Sequence, residues 1–163
     1  MELNNPQLPN YGEIVRSGLA FMQSIDCPAA PGFTGQALIW NNANSNRAAN
    51  IIAFAFSPRQ TGATTLAYLG FVNIAPPVLS NYGANILLGA SNSAAVRTGY
   101  DITNATVANV TVVATIPTNQ KDPNNFITFN PPIRLSPGVG FVTVSNFVNR
   151  QMRCQYIWFE SPL

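Results

Sequence analysis

Stretches in which apolar and polar residues alternate recur along the whole chain of 163 residues. The clearest is residues 109–116, where Val110, Val112, Ala114 and Ile116 fall on one side, opposite Asn109, Thr111 and Thr115. Alternation of β-branched residues with a period of two is typical of a strand with one buried face, so a half-buried strand is predicted here. Comparable stretches occupy residues 35–41, 50–57, 64–74, 85–89, 126–129, 139–147 and 151–159.

Segments rich in Asn, Pro and Gly separate these stretches. They include Pro76-Pro77, Ser136-Pro137-Gly138 and the run Asn-Asn-Ala-Asn-Ser-Asn at residues 41–46. These residue types favour turns, because Asn tolerates a left-handed backbone, Pro has a fixed φ and Gly lacks a Cβ. Eight or more short strands with such turns predict an all-β fold, an antiparallel β-sandwich of the jelly-roll type. We expect one sandwich domain at residues 17–163, preceded by an extended N-terminal arm at residues 1–16.

The start of the chain allows two interpretations. Apolar residues between Tyr11 and Ile25 recur at helical spacing, but Gly12 and Gly18 weaken a helix, and the same region fits a strand. We favour an extended arm to about residue 15, followed by a strand from Ser17 to Asp26, with a helix as the alternative.

Residues 64–74 depart from simple alternation because both of their faces are apolar. In a two-layer sandwich one face of each sheet packs on the core and the other meets water, so a doubly apolar strand needs a second cover. A partner subunit in a homo-oligomer is the favoured cover, and an arm or loop of the same chain is the alternative. The interface candidates are Leu66, Tyr68, Leu69, Phe71 and Val72.

Charge is sparse, with eight basic and six acidic residues making up 9% of the chain, against a typical quarter. No charged residue lies between Arg59 and Arg97. The net charge of +2 comes from scattered residues, so no nucleic-acid partner is predicted. An uninterrupted apolar run of membrane-spanning length is missing from the sequence, so no membrane association is predicted.

The residue types that carry most enzyme chemistry are scarce. The chain has no histidine, which removes the usual base for a Ser or Cys nucleophile and a common zinc ligand. The six acids have no informative spacing, and no phosphate-binding glycine motif is present. We therefore predict no catalytic residue, no cofactor, no metal site and no enzymatic activity. Cys27 and Cys154 are either two buried thiols or one disulfide.

One aromatic side chain suggests a different class of function. Trp40 precedes the Asn-rich turn at residues 41–46, and flat rings at such positions can stack on sugars. An exposed Trp40 would be the glycan contact of a carbohydrate- or receptor-binding module.

Four short stretches resemble small jelly-roll virion structural proteins of tailed bacteriophages. They read RSGLAF at residues 16–21, LIWN at 38–41, PIRLSPGVGF at 132–141 and YIWFE at 156–160. The resemblance implies the fold and a virion setting, and it transfers no functional residue.

On this resemblance we expect a non-enzymatic virion structural protein, most simply a capsid decoration or cement subunit. It would assemble as a symmetric homo-oligomer, with a trimer favoured, and contact the major capsid protein or other virion proteins. It would localise to the virion after assembly in the host cytoplasm. One lysine, Lys121, against seven arginines suits a protein with much interface. The alternative is a carbohydrate- or receptor-binding module of a phage tail or fibre.

Overall fold

The computed structural model describes residues 11–58, 65–87, 93–103, 110–118, 126–149 and 151–163. The described part of the chain contains one short helix and eleven strands. The elements are α1 (Tyr11–Arg16), β1 (Ala20–Cys27), β2 (Thr34–Asn41), β3 (Arg47–Pro58), β4 (Thr65–Val72), β5 (Val78–Tyr82), β6 (Ala84–Asn85), β7 (Val96–Asp101), β8 (Thr111–Thr118), β9 (Phe126–Leu135), β10 (Gly140–Val148) and β11 (Met152–Pro162).

The strands form two antiparallel sheets packed face to face, which confirms the predicted all-β sandwich. One sheet has the order β6-β1-β11-β3-β9 and the other β5-β7-β2-β10-β4-β8. With β5, β6 and β7 set aside, the remaining eight strands pair first with last: β1 with β11, β2 with β10, β3 with β9 and β4 with β8. This nested pairing, a long hairpin folded over itself, is the jelly roll.

The three remaining strands form an insertion between β4 and β8. β6 extends the first sheet beside β1, and β7 and β5 extend the second sheet beside β2. The sequence predicted a strand at residues 85–89, and the structure has β6 at Ala84–Asn85. β5 and β7 were not predicted, because they are short and interrupted by polar residues or glycine.

Aromatic side chains fill the space between the sheets. The Phe54 ring stacks on Phe129 with a centroid distance of 5.6 Å and meets the edge of Phe141 at 6.2 Å. Tyr156 is fully buried, and its hydroxyl donates to the Ala37 carbonyl oxygen at 3.0 Å, tying β11 to the opposite sheet. The inward face of β11 is buried at every second residue, as the predicted strand at residues 151–159 requires.

The structure differs from the extended arm that we expected up to residue 15. Residues 11–16 are helical, and the Ser17 amide donates to the Glu13 carbonyl at 2.8 Å. Gly18 has a φ of 70°, the left-handed conformation that commonly follows a helix end, so this glycine terminates the helix. β1 begins at Ala20, three residues after the predicted start at Ser17. Residues 1–10 of the expected arm lie outside the described residues.

The strand predicted at residues 109–116 is present as β8, but the predicted burial of one face is wrong for residues 111–115. Residues 111–115 are all exposed, and Val112 and Val113 each retain 53% of their accessible surface. Leu69 pairs with Ala114 and Gly70 with Val112, so Val113 is an extra residue in β8. This β-bulge shifts the alternation of side chains by one residue. In addition, β8 lies at the edge of its sheet, with β4 as its one neighbour in the sheet order.

A tight approach between β4 and β8 predicts the effect of Gly70→Ala. A Cβ at residue 70 would lie 2.5 Å from Val110 Cγ1 and 2.6 Å from the Thr111 carbonyl oxygen. The substitution should lower the free energy of unfolding by about 1–3 kcal/mol, the usual cost of overpacking. Urea unfolding measures the change. Gly70→Ala combined with Val110→Ala should recover only part of it, since the Thr111 carbonyl stays in place, and wild-type stability in the single variant would contradict the packing.

Candidate functional site

The predicted interface residues on β4 divide between two hydrophobic clusters. Leu69 and Phe71 belong to the core between the sheets. Val72 and Tyr68 belong to a second cluster, in which Leu38, Val142 and Val144 are also buried. The side chain of Leu66 lies outside the described residues.

From Tyr68 to Val72, where the side chains of β4 are described, both faces of the strand are covered within the single chain. Leu69 is 2% exposed and Val72 is 3% exposed, while Tyr68 and Phe71 are partly buried. Val110, from the start of the β8 region, packs on the second cluster and supplies part of its cover. The apolar surface left uncovered in this region is on β8, at Val112 and Val113.

The exposed glycan platform predicted at Trp40 is wrong. Trp40 is only 6% exposed, and its ring lies so close to Gly140 that a Cβ there would come within 2.9 Å of Trp40 Cε3. Trp40 pairs with Gly140 of β10 and with Arg97 of β7, and its ring lies against the space that Gly140 leaves for lack of a side chain. A buried ring cannot stack on a sugar.

Glu160 is a buried acidic residue that makes several hydrogen bonds and one ion pair. Its exposure is 1%. Its carboxylate accepts hydrogen bonds from the Ala95 amide at 2.8 Å, the Val96 amide at 3.2 Å and the Trp158 indole nitrogen at 3.4 Å. The Arg47 guanidinium completes the set at 3.1 Å. A buried carboxylate is tolerated when donors of this kind replace its hydration.

Glu160 therefore joins three parts of the fold: the end of β11, the first residue of β3 and the entry to β7 in the insertion. Because the six acids show no informative spacing in the sequence, Glu160 was not distinguished from the others and this role was missed. The available signal was the alternation of β11, which puts Glu160 on the same inward face as Tyr156 and Trp158.

An open polar cleft of about 710 Å³ lies beside this cluster. One wall is the Asn-rich turn after β2, and the other is the segment that leads into β7. The Asn42 side chain bridges them by donating to the Ala95 carbonyl at 2.8 Å. The lining residues are Asn42, Ala43, Asn44, Ser45, Asn46, Ser93, Ala94 and Ala95.

Both cysteines are buried free thiols. Cys27 pairs with Met152 and Ile25 with Cys154, so the two cysteines are diagonal neighbours on β1 and β11. Diagonal Cα atoms in a sheet are about 7–8 Å apart, beyond the usual span of a disulfide. Burial raises the pKa of the Cys27 thiol to about 11 and also raises the pKa of Cys154.

Neither a metal centre nor a membrane helix is found in the ranges that the structure describes. No group of three or more His, Cys, Asp or Glu side chains comes together there. No helix in those ranges has the length and apolar character needed to cross a membrane.

No protein-family model matches the chain, and no curated protein or solved structure matches it either. The fold class of the protein is accordingly defined by its strand pairing, that of a jelly-roll β-sandwich.

The Glu160 cluster predicts the effect of Glu160→Gln. The amide can still accept hydrogen bonds through its oxygen, but its NH₂ group faces donors and the charge opposite Arg47 is lost. We expect the free energy of unfolding to fall by about 1–3 kcal/mol. Denaturant unfolding followed by tryptophan fluorescence measures it, since Trp158 adjoins the site.

Asp26→Asn is the matched control. Asp26 also pairs with an arginine, at 2.7 Å from Arg153, but the two side chains are 44% and 46% exposed. Exposed pairs contribute at most about 1 kcal/mol, so this variant should remain close to the wild type. Equal losses for the two variants would contradict a special role for Glu160.

The buried thiols predict that the native protein resists thiol reagents. At pH 8 neither Cys27 nor Cys154 should react with Ellman's reagent, and both should react after unfolding in guanidinium chloride. Because the pKa of Cys27 rises from 9.0 to about 11 on folding, stability should fall as the pH rises through that interval. Rapid labelling of the native protein at pH 8 would contradict the burial.

Proposed function

We propose that the protein is a non-enzymatic structural subunit of a tailed-phage virion, which decorates or cements the capsid as a symmetric homo-oligomer, with a trimer favoured. The major capsid protein or another virion protein is its partner on the particle. The jelly-roll pairing supports the proposal, because this architecture is common among capsid proteins. The resemblance of four sequence stretches to phage virion proteins supports it independently.

The observation that carries the proposal is the exposed, uncharged edge strand β8. Natural edge strands are usually protected by charged side chains, and residues 110–118 contain none. Val112 and Val113, each 53% exposed, lie on this strand. Such a surface fits a protein whose β8 side is covered by a neighbouring subunit in its working state.

The form of β8 favours contact through side chains rather than a continuous intermolecular sheet. The bulge at Val113 and the missing amide hydrogen of Pro117 interrupt the row of backbone groups that another strand would need. Around a rotation axis, the valines of each copy can pack against apolar surface of the next.

Sparse charge supports the same proposal. Lysine and glutamate are depleted in protein interfaces, and this chain has one lysine in 163 residues. The accessible surface of the single chain is 8758 Å², and because Asp101 and Glu160 are buried, at most twelve of the fourteen charged residues share it.

The second candidate function is a carbohydrate- or receptor-binding module of a phage tail or fibre. The burial of Trp40 removes the aromatic platform that first suggested it. The open polar cleft beside the Asn-rich turn is the specific observation that now favours it.

Sedimentation of purified protein tests the assembly. At micromolar concentration the wild type should sediment as an oligomer, and Val112→Asp combined with Val113→Asp should give a folded 17.5 kDa monomer. Val148→Asp is the matched control, because Val148 is 49% exposed but lies at the end of β10, and this variant should still assemble. A wild type that stays monomeric, or a double variant that assembles normally, would contradict the proposed β8 interface.

Binding to particles tests the virion role separately. Wild-type protein should bind assembled capsids that lack it and raise their melting temperature. The β8 double variant should bind less and raise the melting temperature less. Capsids that neither bind the protein nor change in stability would count against the decoration role.

A further inference from the structure

The cleft beside the Asn-rich turn has the volume of a small-ligand site, but it is open to solvent and its described lining consists of Asn, Ser and Ala. Its volume of about 710 Å³ falls within the range of about 300–1,000 Å³ that is usual for such sites. Asn44, Asn46 and Ser93 contribute exposed polar side chains, and every lining residue is uncharged.

The walls of the cleft are held in place by hydrogen bonds. Ser45 Oγ accepts from the Arg47 amide at 3.1 Å and donates to the Arg47 carbonyl at 3.2 Å, which fixes the turn. Asn41 donates to the carbonyl oxygens of Arg47 at 2.9 Å and Leu135 at 3.1 Å beneath the turn. The opposite wall is fixed where Glu160 accepts from the Ala95 amide. A site held in this way needs little further ordering when a ligand binds.

The chemistry of the lining selects a class of ligand. A carboxamide both donates and accepts hydrogen bonds, and so does a hydroxyl group, so Asn44, Asn46 and Ser93 are matched to a molecule rich in neutral hydroxyls. The Arg47 guanidinium beside the cleft is engaged by Glu160 at 3.1 Å and by the Ser93 carbonyl at 3.5 Å, so the described lining offers a charged ligand no unpaired ionic partner. Asn42 is occupied by its bond to the Ala95 carbonyl, which leaves Asn44 and Asn46 as the principal recognition groups.

We propose that this cleft binds a neutral saccharide, with Asn44 and Asn46 hydrogen-bonding to its hydroxyl groups. This site rests on the second candidate function, for which it names the residues and the ligand class, and it does not depend on the structural role. None of the described lining residues is aromatic, so these residues offer a sugar no ring stacking and a single site binds weakly. Several copies in one assembly would strengthen attachment to a glycan-coated surface by multivalency.

A saccharide titration of the full chain tests the site. The probes are glucose, galactose, mannose, N-acetylglucosamine and disaccharides of these sugars, with sialic acid and sulfated galactose as the charged comparison set. Saturation-transfer NMR detects weak contacts, and calorimetry measures the affinity. At least one neutral probe should bind, and Asn44→Ala with Asn46→Ala should weaken that binding at least tenfold.

Gln155→Ala is the matched control, because Gln155 is a partly exposed amide on the outward face of β11, outside the cleft. This variant should bind the same saccharide with wild-type affinity, and all variants should melt at the wild-type temperature. The proposal is overturned if no neutral saccharide binds, if only charged probes bind, or if the double variant binds normally. Sedimentation of the same samples reads out assembly independently, so failure of the saccharide site leaves the structural role to its own test.

Discussion

The buried carboxylate of Glu160 is the interaction on which the arrangement of the molecule depends most. Removing a carboxylate from water is costly, and here two backbone amides, an indole and a guanidinium replace the lost hydration. Those donors come from β11, from the first residue of β3 and from the insertion at the entry to β7. The carboxylate thus fixes the insertion onto the eight-stranded jelly roll, and it fixes one wall of the polar cleft at the same time.

The jelly roll also leaves one sheet with an exposed edge at β8. This edge is the second constraint on the molecule. The other end of that sheet is extended by the insertion strands β7 and β5, whereas β8 has β4 as its one neighbour in the sheet order. A bulge and a proline limit pairing with another strand, but Val112 and Val113 remain exposed. Assembly through side chains would cover this apolar surface, and the scarcity of charge across the chain is consistent with such a working state.

Periodicity predicted the fold well, since β2, β3, β10 and β11 lie within a few residues of their expected positions. It failed where tertiary pairing decides the outcome. The bulge that exposes Val113 arises from the register with β4, and the cover of Val72 comes from residues distant in sequence. The burial of Trp40 depends on how β2 pairs with its neighbouring strands. Alternation along the sequence does not reveal that pairing. Glu160 was predictable in position, by counting from Tyr156, but three of its four donors come from two other segments, at Arg47 and at Ala95-Val96, which only folding brings to β11.

Under the proposed virion role, cryo-electron microscopy of the native particle tests the central claim most directly. We expect jelly-roll density on the particle surface that fits residues 17–163 and repeats with the symmetry of the assembly. In that density Val112 and Val113 should lie against a neighbouring subunit. A particle that lacks this chain, or one in which β8 faces solvent in every copy, would contradict it.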